Sequence, residues 1–104
     1  MIKLRPAKVS ETKLIANIDK QVNLTYWTYE EFKASLAYAH NHAYIVEDST
    51  KVIGFIVFSV LDDEAEILQF CILTEYQGRS YGTMALNLLC DILKYKFNIN
   101  NIFL

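Results

Sequence analysis

The sequence predicts a mixed α/β domain: a mainly antiparallel sheet flanked by helices, in the order β-α-α-β-β-β-α-β. Three observations carry this. A short alternating stretch at the N-terminus is followed by two stretches with apolar residues at helical spacing. The middle third is rich in β-branched and aromatic residues and is cut by two polar turns, and helical spacing returns from Tyr81. With 104 residues there is room for one domain, residues 1–104, and a content of 53% hydrophobic and 21% charged residues is enough to fill one core.

Taken in order, "IKLRPA" alternates Ile2 and Leu4 with Lys3 and Arg5 before Pro6, which predicts a strand over residues 2 to 6. Ser10 is the expected cap of a first helix whose apolar face is Leu14, Ile15, Ile18 and Val22. In "TYEEF", Thr28 and Glu31 have the spacing of a capping box, and Phe32 and Leu36 carry a second helix to about residue 39. The runs "AYIVE", "KVIGFIVFSV" and "AEILQFCIL", separated by "DST" and "LDDE", read as three antiparallel strands. The "KVIGFIVFSV" run is apolar on both faces, so it is placed centrally, covered from both sides. Ala85, Leu88, Leu89, Ile92 and Leu93 then form a helical stripe, "NINN" ends it, and "IFL" begins another strand.

Charge and composition narrow the function. The net charge is -2 and the ten Lys and Arg residues are scattered, so no basic field is offered to nucleic acid. No apolar run approaches the roughly 18 residues of a membrane span, and no secretory signal pattern is found, so the chain is expected in the cytoplasm with no membrane partner. Cys71 and Cys90 lie in apolar runs without metal-ligand spacing and are read as small buried thiols of a reducing compartment. His40 and His42 are read as solvated loop residues, and no metal is expected.

The stretch with most chemical content is "TEYQGRSYGTMALNLL", a polar, glycine-broken segment running straight into a helix. A helix start leaves about four backbone N–H groups unpaired and carries roughly half a positive charge. A loop that lets a pyrophosphate approach there gains several donors at once, here from residues 78 to 83 with Arg79 as an added cation. Together with the element order, the motif resembles the acetyl-CoA loop of the GCN5-related N-acetyltransferase family: Gln or Arg, two residues, Gly, one residue, Gly or Ala. The matching positions are Gln77, Ser80 and Gly82. Ser80 departs from the pattern, since glycine is usual there and more easily adopts positive φ; Gly78 is the candidate to compensate. "ANIDKQVNLTYWTYEEF" is also similar to the entry of RimI-type members, which acetylate the N-terminus of ribosomal proteins.

The resemblance implies acetyl-CoA as co-substrate, its phosphates on Gln77, Gly78, Arg79, Ser80, Tyr81, Gly82 and Thr83 and its pantetheine paired along Phe70, Cys71, Ile72 and Leu73 of a splayed, bulged strand. Glu66 lies eleven residues before Gln77, the spacing at which histone-acetylating members carry their general-base glutamate, and apolar Ile67 and Leu68 could desolvate it; a solvated hairpin charge beside "LDDE" stays open as the other reading of the same residue. Tyr26, Trp27 and Tyr29 would wall the acceptor groove, because in the family the segment around the second helix covers the substrate side; a packing role for the same residues stays open. RimI-like members continue past the fifth strand with a helix bearing a tyrosine general acid and two further strands, so the chain is expected to be C-terminally truncated relative to them. None of its seven tyrosines lies where that acid would be.

Two readings follow. One is an acetyl-CoA-dependent N-acetyltransferase acting on a primary amine of a small molecule or of a protein N-terminus or lysine. The other is a non-catalytic relative that binds CoA or only self-associates. In either case an uncovered C-terminal edge is expected to form a homodimer through Ile102, Phe103 and Leu104.

Overall fold

The computed structural model of the protein describes residues 1–103. Its elements are β1 (Ile2–Pro6), α1 (Thr12–Val22), α2 (Tyr29–Leu36), β2 (Asn41–Asp48), β3 (Lys51–Leu61), β4 (Glu64–Ile72), α3 (Tyr81–Tyr95) and β5 (Asn101–Phe103), with short 3-10 turns before α1 and α3. The predicted order is therefore observed. The strands form one sheet in the order β1-β2-β3-β4-β5, antiparallel except for the β4–β5 pair. That parallel pair is what α3 makes possible, since two parallel neighbours need a crossover and an antiparallel pair needs only a turn.

The two hairpins are tight. Asp48 opposes Lys51 and Leu61 opposes Glu64, leaving two-residue loops at 49–50 and 62–63. Ser49 (φ 58°) and Asp62 (φ 55°) take the left-handed conformation that such loops require. Between them β3 is the central strand, with residues 53–58 fully buried under helices on both sides. Gly54 fits this crowding. A Cβ there would collide with the Cys71 carbonyl oxygen and lie 3.1 Å from Ile72 Cα, so β3 and β4 approach one another only because the residue has no side chain.

Two cores lie on opposite faces of the sheet. Ala85, Leu89 and Leu93 of α3 pack with Val46, Ile56, Phe58 and Ile72 on one face. Ile15 and Ile18 of α1 and Phe32 of α2 pack with Ile45, Phe55, Val57 and Cys71 on the other. Phe32 is its hub, 5.1 Å from the Trp27 ring and edge-on to Phe55 at 5.6 Å.

Several local expectations are corrected. Ser10 does not cap α1; it lies inside the 3-10 turn Val9–Glu11. That helix start is held by Glu11, whose carboxylate accepts from the two terminal Arg5 guanidinium nitrogens at 2.8 and 2.7 Å and from the Lys8 backbone N–H at 2.8 Å. Leu14 is 38% exposed and the buried stripe of α1 continues through Asp19 instead. The second helix ends at Leu36, short of residue 39. Cys90 is exposed, because it follows Leu89 on α3 and turns away from the sheet; only Cys71 is a buried thiol. His42 is not a loop residue: it sits on β2, 5.5 Å from the Phe58 ring and 4.9 Å from that of Phe97. Burial and the nearby Lys96 lower its pKa. Among the described residues no three His, Cys, Asp or Glu side chains gather as a metal site, and no helix is long and apolar enough to cross a membrane.

Candidate active site

β4 organises the candidate site. Its register against β3 slips between Val57 and Phe58: Val57 opposes Gln69 but Phe58 opposes Ile67, so Leu68 is an extra residue. The expected bulge exists, but at Leu68, two residues before the stretch Phe70 to Leu73. It breaks the alternation of faces. Ala65, Ile67, Phe70 and Ile72 pack on the α3 side, whereas Leu68 packs on the α1/α2 side and the Gln69 amide reaches α1. Along its outer edge β4 pairs with β5 only from Glu64 to Glu66, so among the described residues the edge from 67 to 72 has no strand beside it.

At the C-terminal end of β4 the chain makes a 3-10 turn and enters α3. Gln77 donates its side-chain amide to the Ile72 carbonyl at 2.9 Å, closing the turn. Gly78 has φ 78°, with open space where a Cβ would point, so glycine is required there by conformation and not by crowding. Ser80, the N-cap of α3, is also left-handed (φ 64°, ψ 14°). The position where glycine is usual in the resembled motif thus does adopt the conformation glycine favours, and Gly78 adds a second such residue without replacing it.

The Ser80 side chain does not cap α3. Its carbonyl accepts the Met84 N–H at 3.0 Å, which leaves the first-turn amides of Tyr81, Gly82 and Thr83 directed out of the helix end without a side-chain partner. These residues, with Phe70, Ile72, Tyr76, Gln77, Gly78 and Ser80, line a cleft of about 310 Å³. Tyr81 is fixed by its hydroxyl, which donates to Asp48 at 3.2 Å.

Three residues expected at the cofactor lie outside that cleft. The Cys71 side chain points to the opposite face, where burial and the Asp19 carboxylate push its thiol up to about 12, so any part it has is through its backbone. Leu73 also packs on the α1/α2 side. Arg79 is exposed, its guanidinium 5.9 Å from the Tyr76 ring.

Tyr26, Trp27 and Tyr29 come together, lining a second cleft of about 370 Å³ with Lys13, Ala16, Asn17, Lys20 and Thr28. Trp27 lines this cleft and also packs on Phe32, so the packing role left open by the sequence is present beside its place in the cleft. Glu66 faces away from the α3 side, because its neighbours Ala65 and Ile67 both pack there. The expected desolvation is absent. Glu66 is exposed, on a shallow rim with Ser59, Leu61, Glu64 and Phe103, because Ile67 turns to the other face of the sheet. Phe103 is 54% exposed on the edge strand β5 and Ile102 packs on the α3-side core; Leu104 lies outside the described residues.

The residue the sequence reading missed is Asp19. It is fully buried, and its carboxylate accepts from Asn23 Nδ2 at 2.5 Å, the Trp27 backbone N–H at 2.9 Å and Gln69 Nε2 at 2.8 Å. The signal was present: Asp19 stands one turn after Ile15 on the stripe α1 buries, where a carboxylate needs partners.

Comparison with known proteins agrees with this architecture. The sequence profile of the Acetyltransferase (GNAT) family matches residues 12–104. A ribosomal-protein alanine N-acetyltransferase of Haemophilus influenzae is 29% identical over 79 residues, 76% of this chain and 53% of that protein. The crystal structure of the Escherichia coli ribosomal-protein alanine N-acetyltransferase superposes with a TM-score of 0.83 at 18% identity, covering 92% of this chain and 61% of that one. A protein of Clostridium acetobutylicum described as a predicted acetyltransferase, solved with acetyl-CoA, gives 0.73 at 18% identity over 100% of this chain and 80% of its own. The chain belongs to the GCN5-related N-acetyltransferase family and is RimI-like in sequence and fold. It spans about half the length of the curated relative it matches.

Proposed function

We propose that this chain carries the acetyl-CoA-binding part of an N-acetyltransferase that moves an acetyl group to a primary amine, on a small molecule or on a protein N-terminus or lysine. The observation that carries the reading is the start of α3: amides without a side-chain cap at the mouth of a cleft, at the end of a strand whose outer edge from 67 to 72 has no strand beside it among the described residues. Pyrophosphate oxygens would accept from the amides of residues 81 to 83, with Arg79 adding charge. The pantetheine arm would pair with the free edge from Phe70 to Leu73, and the thioester would reach the bulge at Leu68.

Transfer forms a C–N bond as the amine nitrogen attacks the thioester carbonyl, and breaks the C–S bond as the electron pair leaves on sulfur. Main-chain N–H groups at the bulge would stabilise the oxygen that becomes negative, as preorganised donors do. Glu66 is proposed to take the amine proton. It stands roughly 7 Å along the strand from the bulge, at about 3.3 Å per residue, and on the same face of the sheet as the Trp27 cleft. The two ligands would thus come from opposite faces, CoA from the α3 side and amine from the α1/α2 side, meeting at the edge of β4. Use of acetyl-CoA is proposed to place the reaction in the cytoplasm, and the exposed β5 edge at Phe103 to pair with a second copy.

The test is calorimetric titration with acetyl-CoA, followed by thiol release over a panel of amines and peptides. Micromolar binding and amine-dependent release support the transferase. Binding without release favours the non-catalytic reading, and no binding removes the transferase and leaves only self-association. Glu66→Gln should lower turnover by roughly a hundredfold with unchanged acetyl-CoA affinity; equal rates from pH 6 to 9 would leave Glu66 a surface charge. Light scattering tests the pairing, and a monomer rejects it.

A further inference from the structure

Asp19 has no part in the chemistry proposed above, yet it is the one carboxylate with zero exposure among the described residues. A carboxylate is removed from water at considerable cost, so its position is informative only if its partners are. They are unusually far apart in the chain. Asn23 is four residues away and Trp27 eight, but Gln69 is fifty away, on β4. One carboxylate therefore receives three N–H donors from three places: the end of α1, the backbone entering α2, and the strand residue immediately after the bulge.

Both long arms end on the same oxygen. Oδ2 takes the Trp27 N–H at 2.9 Å and Gln69 Nε2 at 2.8 Å, while Oδ1 takes Asn23. Through one atom, the backbone of the residue that walls the 370 Å³ cleft is tied to the strand residue that follows the extra residue Leu68. Gln69 reaches α1 because the bulge puts two consecutive β4 residues on one face; without the extra residue it would point to the α3 side. Bulge, buried carboxylate and loop thus fix one another.

We infer that Asp19 is a positioning residue that holds the acceptor-side wall at Trp27 in register with the bulged segment of β4. Its part in acetyl transfer rests on the proposed reading that the bulge receives the thioester. Trp27 is the only tryptophan of the chain, so its emission and its quenching by acrylamide report on the wall without any turnover.

Asp19→Leu keeps roughly the size of the side chain but removes both acceptor oxygens, so the Trp27 N–H and the Gln69 amide lose the atom they share. Acrylamide quenching of Trp27 should rise at least twofold. Turnover at saturating acetyl-CoA should fall at least thirtyfold, while the acetyl-CoA dissociation constant stays within about threefold because the α3 amides are untouched. The conservative variant Asp19→Asn can keep its amide oxygen on Trp27 and Gln69 while its NH2 turns to Asn23, and should hold both quenching and rate near those of the wild type. Gln69→Leu, which removes a single arm, provides the same readouts should the Asp19 variant fail to fold.

Unchanged quenching in a folded Asp19→Leu or Gln69→Leu protein would overturn the tether, whatever the rate does. Loosened quenching with an unchanged rate would overturn its role in transfer. An Asp19→Asn protein as loose and as slow as Asp19→Leu would show that the shared acceptor oxygen is not what holds the wall. A wild-type chain without thiol release would reject the transferase reading, and the positioning role with it, while the quenching arm still decides the tether.

Discussion

The starts of α2 and α3 solve the same physical problem in opposite ways. Each helix begins with backbone N–H groups that have no partner in the preceding turn. At α2 the chain supplies its own: the Thr28 hydroxyl accepts the Glu31 N–H at 3.2 Å, and the Glu31 carboxylate accepts the Thr28 N–H at 3.0 Å. At α3 it supplies none, and Ser80 enters from the left-handed region, where its side chain makes no cap. A closed start contributes to stability, and an open one keeps donors to spare, which the proposed function gives to a ligand. The difference teaches that the candidate cofactor site lies in what the sequence omits at Ser80 to Thr83 as much as in the residues present.

Four measurements break or sharpen this contrast. The largest effect should come from neither helix end. If packing holds both helices and end chemistry only tunes them, Phe32→Ala on α2 should destabilise by about 3 to 5 kcal/mol and Leu89→Ala on α3 by about 2 to 5 kcal/mol. Urea unfolding measures both, and a loss below about 1 kcal/mol at either site would mean that its core collapses around the gap.

Next comes the open end. A Cβ at Gly82 would sit 3.7 Å from Phe70 and 4.0 Å from Ile72, ordinary contact distances, so Gly82→Val should fold. Its branched side chain would stand in front of the amides and should weaken acetyl-CoA binding at least tenfold, about 1.4 kcal/mol. An unchanged dissociation constant in a folded variant would detach the cofactor from this helix start.

The closed end should behave in reverse. Thr28→Ala removes the hydroxyl of the capping box and should cost about 1 kcal/mol of stability, leaving acetyl-CoA affinity as it was. A loss of affinity there would show that the two helix starts are coupled.

The smallest effect belongs to α1, which begins on an ion pair. The Arg5 guanidinium, with the Lys8 N–H, holds the Glu11 carboxyl at about 2 against an ordinary 4.5. Folding therefore favours the ionised form: this contribution is complete above about pH 4.5 and is lost as pH falls toward 2. Denaturation midpoints should decline over that window more steeply in the wild-type chain than in Glu11→Gln. Parallel profiles would show that the pair adds nothing net, as many surface ion pairs do.

Sequence alone determined the element order, the capping box at Thr28, the central place of β3 and the loop-to-helix motif at Gln77 to Thr83. The physical reason is that each is a local signal: a period of two or of 3.6, a hydroxyl three residues before a carboxylate, a turn beside an apolar run. These act within one or two turns of chain and can be read there. Where a local signal had a distant competitor, the reading failed: Ser10 lost the start of α1 to the Arg5–Glu11 pair, and Cys90, apolar by its neighbours, turned outward on α3. Tertiary structure alone decided which face each β4 residue meets, because a single extra residue at Leu68 shifts the alternation that follows, and nothing in "AEILQFCIL" marks its position. It alone exposed Glu66, moved Cys71 off the loop cleft, and joined Asp19 to Gln69 across fifty residues. A buried carboxylate finds its donors by proximity in space, and proximity in space between distant residues is what a one-dimensional pattern does not contain.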